Sequence, residues 1–226
     1  MSLLRQLFNK QRPKLVMFDL DGTLIDSVPD LAAAVDHMLQ QRGRPAAGVD
    51  KVRLWVGNGA RVLVRRALAD SIEHAAVDAA EAEAALAEFL QAYAADHSHS
   101  RLYPGVRAYL DHLRGQGVPM ALITNKPSGF LPDLLAAHGL QQHFAWVIGG
   151  DSLPVQKPDP AALFQVLAAA GVSPADALFV GDSRSDILAA RAAGVPVVAV
   201  TYGYNHGQPI AAENPDLLVD SLAALI

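Results

Sequence analysis

The sequence predicts an α/β fold: a Rossmann-like parallel sheet core with an inserted all-helical cap domain. Three observations lead to this fold class. Short apolar runs recur along the chain, helical patterns lie between them, and one long stretch contains helical patterns only. Alternation of strands and helices is typical of crossover units in a parallel sheet, and a long break in that rhythm indicates an insertion.

Five apolar runs are the predicted strands. None alternates between apolar and polar residues, which favours strands that are buried on both faces beneath helices. The runs occupy residues 15–18, 120–123, 145–148, 177–180 and 197–200.

Two helices are predicted between these strands. In the first, Val106, Tyr109 and Leu113 recur at helical spacing. The second begins at Pro160, a residue type favoured in the first turn of a helix, and ends before Gly171.

Residues 28–100 contain no comparable strand run. An amphipathic stripe begins at Leu31, and eleven of the 21 residues from 75 to 95 are alanine. We interpret this alanine-rich stretch as a surface helix with a solvated acidic face. The sequence therefore predicts a helical cap domain at 28–100 and a discontinuous α/β core at 1–27 and 101–226.

Composition excludes several classes of protein. The 226 residues include no cysteine, which excludes a disulfide scaffold, a thiolate metal site and a cysteine nucleophile. With 18 basic and 23 acidic residues the net charge is −5, so the chain has no basic surface for nucleic acid. No signal peptide or membrane-spanning run is evident, and we expect a cytoplasmic protein without a membrane partner.

Polar residues follow three of the predicted strands, in segments 19–23, 124–126 and 181–186. Ligands of open α/β sheets bind outside the carboxyl ends of the strands, so these segments predict one shared site. A single aspartate after a strand is as readily a turn or helix cap, and the conjunction of three segments carries the prediction.

Four carboxylates in one crevice need compensating charge. Asp19 and Asp21 leave an extended chain on the same side, and Asp182 and Asp186 lie one helical turn apart. Two like charges about 4 Å apart repel by roughly 4 kcal/mol at an effective dielectric of 20. A hard divalent cation such as Mg²⁺ relieves this repulsion, and Lys157 is a second candidate, although alone it is typical of an exposed side chain.

These segments together resemble the haloacid dehalogenase superfamily in its phosphatase branch. The resemblance rests on Asp19-x-Asp21-x-Thr23, on Thr124 at the end of a strand, on Lys157 before a helix, and on Gly181-Asp182-x-x-x-Asp186. It implies that Asp19 attacks phosphorus, that Asp21 acts as acid and base, and that Thr124 and Lys157 hold phosphoryl oxygens. It also implies help from backbone amides around Leu20, Gly22 and Asn125. The implied cofactor is Mg²⁺, held by Asp19, Asp21 through its carbonyl and Asp182, with Asp186 either a ligand or an orienting group.

Further segments resemble the bacterial phosphoglycolate phosphatase family, among them 55–60, 124–127 and 156–160. This resemblance implies a small phosphorylated metabolite as substrate and leaves monomer and dimer both open. Two alternatives remain at this stage: a phosphatase or phosphomutase acting on another small sugar or amino-sugar phosphate, and a domain that keeps the fold without turnover.

The cap is expected to set specificity. Asn58 and Gly59 are candidates to meet the leaving group, although such a tripeptide is by default a turn. Arg66, and less so Arg61 or Arg65, is a candidate partner for a substrate carboxylate, against the alternative of a solvated helix face. His97, His99 and His206 are interpreted as loop histidines without a metal.

Overall fold

The computed structural model describes residues 4–8, 11–96 and 98–226. These residues form eight strands: β1 Leu15–Phe18, β2 Ile25–Asp26, β3 Arg101–Leu102, β4 Met120–Ile123, β5 Trp146–Ile148, β6 Ala177–Gly181, β7 Val197–Val200 and β8 Leu217–Val219. The same residues form nine α-helices: α1 Leu4–Leu7, α2 Val28–Gln41, α3 Gly48–Trp55, α4 Ala60–Ala69, α5 Ala79–Ala95, α6 Val106–Gly115, α7 Leu131–Ala137, α8 Ala161–Ala170 and α9 Arg184–Ala193. The predicted α/β class is confirmed.

Six of the strands form one parallel sheet in the order β5-β4-β1-β6-β7-β8. All five predicted strands are present, and β8 is an addition that the sequence analysis missed because its apolar run is only three residues long. The expectation of burial on both faces is wrong for β5. That strand lies at the edge of the sheet, where Val147 is 44% exposed.

The central strand β1 shows how the sheet is covered. Its alternate side chains leave on opposite faces: Val16 and Phe18 join the apolar cluster that contains α6, while Leu15 and Met17 join the cluster that contains α8 and α9. All four are fully buried. The sheet is therefore a middle layer between two layers of helices, which leaves its strand ends as the place where polar groups can gather.

Helices α2 to α5 pack on one another around a separate apolar cluster. We call residues 28–100 the cap and the other described residues the core. The alanine-rich stretch forms α5, which Asp78 caps by accepting from the Glu81 N–H at 2.9 Å. Its interpretation as a surface helix is only partly right, because Phe89 and Tyr93 on its inner face are buried.

The cap joins the core through two chain segments that lie side by side. Strands β2 and β3 pair antiparallel at this junction. Beside them the buried Asp30 carboxylate accepts hydrogen bonds from the backbone N–H groups of His99 and Ser100 and from the Ser100 hydroxyl. The second connection is thereby tied to the first turn of α2, into which the first connection leads directly.

Among the described residues, no helix combines the length and the apolar character that crossing a bilayer requires.

Candidate active site

Three neighbouring strands bring the predicted polar segments to one edge of the sheet. Asp19 follows β1, Thr124 follows β4 and Asp182 follows β6, and β1 lies between the other two. Because all three strands are parallel, their carboxyl ends share one edge. All three side chains lie at this edge and are each less than a tenth exposed; Asp19 and Thr124 line one crevice, and Asp182 lies beside Asp19.

Asp19, Asp182 and Asp186 form a compact carboxylate cluster in which one oxygen of each lies within 4.8 Å of the others. Burial raises the pKa of Asp19 to about 7, although Lys157 opposes this shift. Burial and the neighbouring carboxylates likewise hold the pKa of Asp182 well above its usual value. The cluster lacks positive charge for the number of carboxylates it holds, and its oxygen donors suit a hard cation such as Mg²⁺.

Lys157 lies in this cluster as a compensating charge and is not the exposed side chain that its position alone would favour. Its Nζ lies 2.8 Å from Asp19 Oδ1 and 2.7 Å from Asp186 Oδ1, and the side chain is buried. Burial alone would lower the pKa of Lys157, but Asp186 and Asp19 outweigh it and raise the pKa above its usual value. Lys157 therefore stays charged in the crevice.

Asp186 has both oxygens occupied by the protein. Oδ1 accepts from Lys157, and Oδ2 accepts from the Asp182 N–H at 3.2 Å, the Ser183 N–H at 3.0 Å and the Ser183 hydroxyl at 2.7 Å. Ser183 and Asp186 also form a capping box at the start of α9. With three donors on Oδ2 and an ammonium on Oδ1, Asp186 is more fully occupied than Asp182, whose oxygens each accept from one neutral donor, and this favours an orienting role for Asp186.

Asp182 is fixed by two donors, one on each oxygen. The Thr23 hydroxyl donates to Oδ1 at 2.7 Å and the Tyr204 N–H to Oδ2 at 2.6 Å. Gly22 and Gly203 pack so closely that a Cβ on either would overlap the carboxylate. The Gly22 N–H, expected to bind phosphoryl oxygen, instead donates to the Ile25 carbonyl at 2.9 Å, so Gly22 contributes space.

Asp21 lies beside the cluster with partners of its own. The Ser27 hydroxyl donates to its Oδ1 at 2.5 Å, and Lys126 Nζ lies 3.0 and 3.3 Å from its two oxygens. The Asp21 carbonyl accepts no hydrogen bond from the described residues, and the N–H groups of Leu20 and Asn125 find no acceptor there. The carbonyl can therefore face a cation and the two N–H groups a phosphoryl oxygen.

Lys126 is a residue that the sequence analysis missed. It is buried, and its ammonium lies 4.6 Å from the centre of the Tyr93 ring as well as beside Asp21. Burial alone would lower its pKa, but Asp21 raises it above the usual value, so the side chain is charged. The sequence signal that could have identified Lys126 is its position two residues after Thr124, at the end of a strand.

The loop before α4 meets the core at the mouth of the crevice. The Asn125 amide donates to the Gly57 carbonyl at 3.2 Å, and the Gln156 amide donates to the Asn58 carbonyl at 3.1 Å. Asn58 itself donates to the Ser185 hydroxyl at 3.3 Å. Gly57 and Gly59 line the crevice, whereas the Asn58 side chain is directed to α9.

The cap closes the crevice with apolar side chains. The cavity beneath the cap measures about 50 Å³, on a measure by which one water molecule needs roughly 10–15 Å³. Its core side contains Asp19, Asp21, Thr124, Asn125, Lys126 and Lys157. Its cap side contains Leu31, Val56, Ala60, Leu63, Phe89 and Tyr93. This space suits a small ligand.

The three candidate arginines of the cap do not line this cavity. Arg66 is buried inside the cap and donates to the Trp55 carbonyl at 2.6 Å. Arg65 donates to the Val77 carbonyl at 2.9 Å, and Arg61 pairs with Glu83. The structure thus assigns each a partner within the cap.

Neither His99 nor His206 lines the crevice. His99 contacts Asp30 at 3.0 Å, and His206 Nδ1 lies 2.8 Å from the Leu54 carbonyl. His97 lies outside the described residues.

The model for the family described as haloacid dehalogenase-like hydrolase matches residues 16–200. The chain belongs to this family. The match spans β1 through β7, so this hydrolase family includes every strand end that contributes to the crevice.

Relatives within this haloacid dehalogenase-like family are close. A phosphoglycolate phosphatase of Pseudomonas putida is 63% identical over 226 residues, which is 100% of this chain and 83% of that protein. Phosphoglycolate phosphatase 1 of Pseudomonas aeruginosa is 61% identical with the same coverage. A crystal structure described as a predicted phosphoglycolate phosphatase from Haemophilus somnus has a TM-score of 0.88 at 40% identity, covering 94% of this chain and 96% of that one.

Proposed function

We propose that this protein is a Mg²⁺-dependent phosphatase that hydrolyses 2-phosphoglycolate to glycolate and phosphate through an aspartyl-phosphate on Asp19. The observation that carries the chemistry is the buried cluster of Asp19, Asp182 and Asp186 with Lys157 between two of them. The observation that carries the substrate is identity of about three residues in five with phosphoglycolate phosphatases over the whole chain.

Asp19, Asp182 and the carbonyl of Asp21 would hold the Mg²⁺ ion. Their oxygen donors fit it, and the raised pKa values of Asp19 and Asp182 show carboxylates that a cation would stabilise in the ionised form. When bound, Mg²⁺ supplies positive charge to the phosphoryl oxygens. Asp186 orients Lys157 and the segment around Asp182 through its occupied oxygens.

The first step joins Asp19 to phosphorus. A carboxylate oxygen of Asp19 forms a bond to phosphorus while the bond between phosphorus and the ester oxygen of glycolate breaks. Lys157, the Thr124 hydroxyl and the N–H groups of Leu20 and Asn125 hold the phosphoryl oxygens. Asp21 donates its proton to the departing oxygen, so that glycolate leaves with a hydroxyl group.

The second step restores the enzyme. Asp21 takes a proton from a water molecule, whose oxygen attacks phosphorus, and the bond from phosphorus to Asp19 breaks to release inorganic phosphate. Ser27 and Lys126 hold the Asp21 carboxylate in place for both proton transfers. Since phosphoryl transfer depends mainly on positioning and charge neutralisation, these fixed groups account for the catalysis.

Phosphate release from a panel of substrates tests the proposal. We expect kcat/KM with Mg²⁺ to be at least about tenfold higher for 2-phosphoglycolate than for glucose 6-phosphate or glucosamine 6-phosphate, because the cavity beneath the cap is small. EDTA should abolish turnover, and added Mg²⁺ should restore it. Equal or higher efficiency on a hexose phosphate, or full activity in EDTA, would refute the proposal.

A further inference from the structure

The crevice has two cations among its described lining residues, and they are not equivalent. Lys157 lies between Asp19 and Asp186, at 2.8 and 2.7 Å, where the phosphoryl group must bind. Lys126 lies on the far side of Asp21, next to the aromatic side chains of the cap. Only the second is placed to meet the part of the substrate that departs.

Among the described residues of the cap, those that line the cavity include no lysine, arginine or histidine. Its cavity-lining residues are apolar apart from the Tyr93 hydroxyl and the backbone of the loop before α4. Arg66, the first candidate from the sequence, does not line the cavity and donates to the Trp55 carbonyl. A negatively charged leaving group in this space therefore finds its charge partner in Lys126.

We propose that Lys126 binds the carboxylate of the leaving group and thereby selects phosphate esters of small 2-hydroxy acids. This inference rests on the proposed function, because it places the ester oxygen at Asp21 during proton transfer. One methylene group separates that oxygen from the carboxylate in 2-phosphoglycolate. When the ester oxygen meets Asp21, the carboxylate falls beside the ammonium that is 3.0 Å from Asp21.

The surroundings make this pairing selective. Lys126 is buried, and Phe89 stacks on Tyr93 at 5.8 Å to close the apolar wall beside it. Around a buried ammonium such as that of Lys126, a charge pair is stronger than in bulk solution. A neutral group of the same shape would leave the ammonium without its second anion, so it would be rejected.

The test compares 2-phosphoglycolate with its amide, 2-phosphoglycolamide, which has nearly the same shape and no carboxylate. For the wild-type protein with Mg²⁺ we expect kcat/KM to be at least about 30-fold higher on the acid. Lys126→Met should lower this ratio to within about threefold of one, mainly through KM for the acid. Lys51→Met removes an ammonium from the exposed face of the cap, where it pairs with Asp70, and should leave the ratio unchanged.

Each outcome separates the two proposals. If the wild-type protein hydrolyses another phosphomonoester and not 2-phosphoglycolate, the proposed function fails. If it hydrolyses 2-phosphoglycolate well but Lys126→Met lowers kcat/KM on the acid and on the amide by the same factor, Lys126 only positions Asp21 and this inference fails. Circular dichroism melts check that the variant folds. Should it not fold, Lys126→Arg, which keeps the charge, must retain most of the preference, and competitive inhibition of the wild type by glycolate must exceed that by glycolamide.

Discussion

The two walls of the crevice are made of opposite chemistry. The core wall consists of strand ends and loops with charged side chains that are buried and hydrogen-bonded, such as Lys126 and Lys157. The cap wall consists of apolar side chains from α2, α4 and α5, such as Leu31 and Phe89. The difference indicates a division of labour, in which the core acts on the phosphoryl group and the cap limits what can be attached to it.

The two walls also differ in how firmly they are held. Asp186 accepts four hydrogen bonds within the core. By contrast, the loop before α4 is tied to the core by single side-chain contacts of 3.1 to 3.3 Å from Asn125, Gln156 and Asn58. Asp186 is therefore held by more hydrogen bonds than the whole loop before α4, which is the less firmly held side of the crevice mouth.

The largest effect is expected where the core wall is crowded. Gly203→Ala places a Cβ onto the Asp182 carboxylate, which must then move. We expect the Mg²⁺ concentration for half-maximal activity to rise roughly 10- to 100-fold. Gly129→Ala is the matched control, because a Cβ there meets nothing within 4 Å. An unchanged Mg²⁺ dependence in a folded Gly203→Ala protein would show that Asp182 does not hold the ion.

An intermediate effect is expected on the cap wall. Phe89→Ala should cost about 3–5 kcal/mol of unfolding free energy through the cavity it leaves. The same space should raise kcat/KM for hexose phosphates relative to 2-phosphoglycolate several-fold. Leu39→Ala, buried in the cap but not lining the crevice, should destabilise the protein without that change in selectivity. An equal loss of activity on all substrates would contradict the prediction that Phe89 excludes larger substrates.

The smallest effect is expected at the junction of the two walls. Burial acts to raise the pKa of Asp30, but hydrogen bonds from Ser100 and His99 outweigh it and lower the pKa. The ionised carboxylate therefore stabilises the fold above its unfolded pKa near 3.9, and that contribution disappears as the pH falls through the lower folded value.

Asp30→Asn should consequently reduce the unfolding free energy by about 1–3 kcal/mol between pH 5 and 8. The difference from wild type should shrink below pH 4, as measured by urea denaturation at each pH. Asp133→Asn, at an exposed position on α7, is the control. A difference that grows as the pH falls would have the wrong sign and would exclude this account of the junction.

Sequence predicted the core wall well because its signals are local. A polar residue directly after an apolar run marks a strand end, and parallel strands share one edge, so Asp19, Thr124 and Asp182 were predicted together. To predict that Lys157 reaches the crevice and that β5 lies at the edge of the sheet, the order of the strands is needed as well. The order of strands is a long-range property that no local pattern contains.

The cap wall was predicted poorly because helical spacing does not specify which neighbour a face meets. Arg66 was a candidate for the substrate carboxylate, but it lies inside the cap on the Trp55 carbonyl. Phe89 and Tyr93 are buried residues of α5, which the sequence led us to interpret as a surface helix. Lys126 was quoted in a motif without a role, since nothing in the sequence shows that its ammonium reaches Asp21.

The division of labour depends on Asp19 as the group that bonds to phosphorus. The most direct test is kcat/KM on 2-phosphoglycolate at saturating Mg²⁺ for wild type and Asp19→Asn. We predict a loss of at least about 1,000-fold with a melting temperature within a few degrees of wild type, since Lys157 keeps Asp186 as a partner. Activity of the variant within tenfold of wild type would contradict the covalent mechanism.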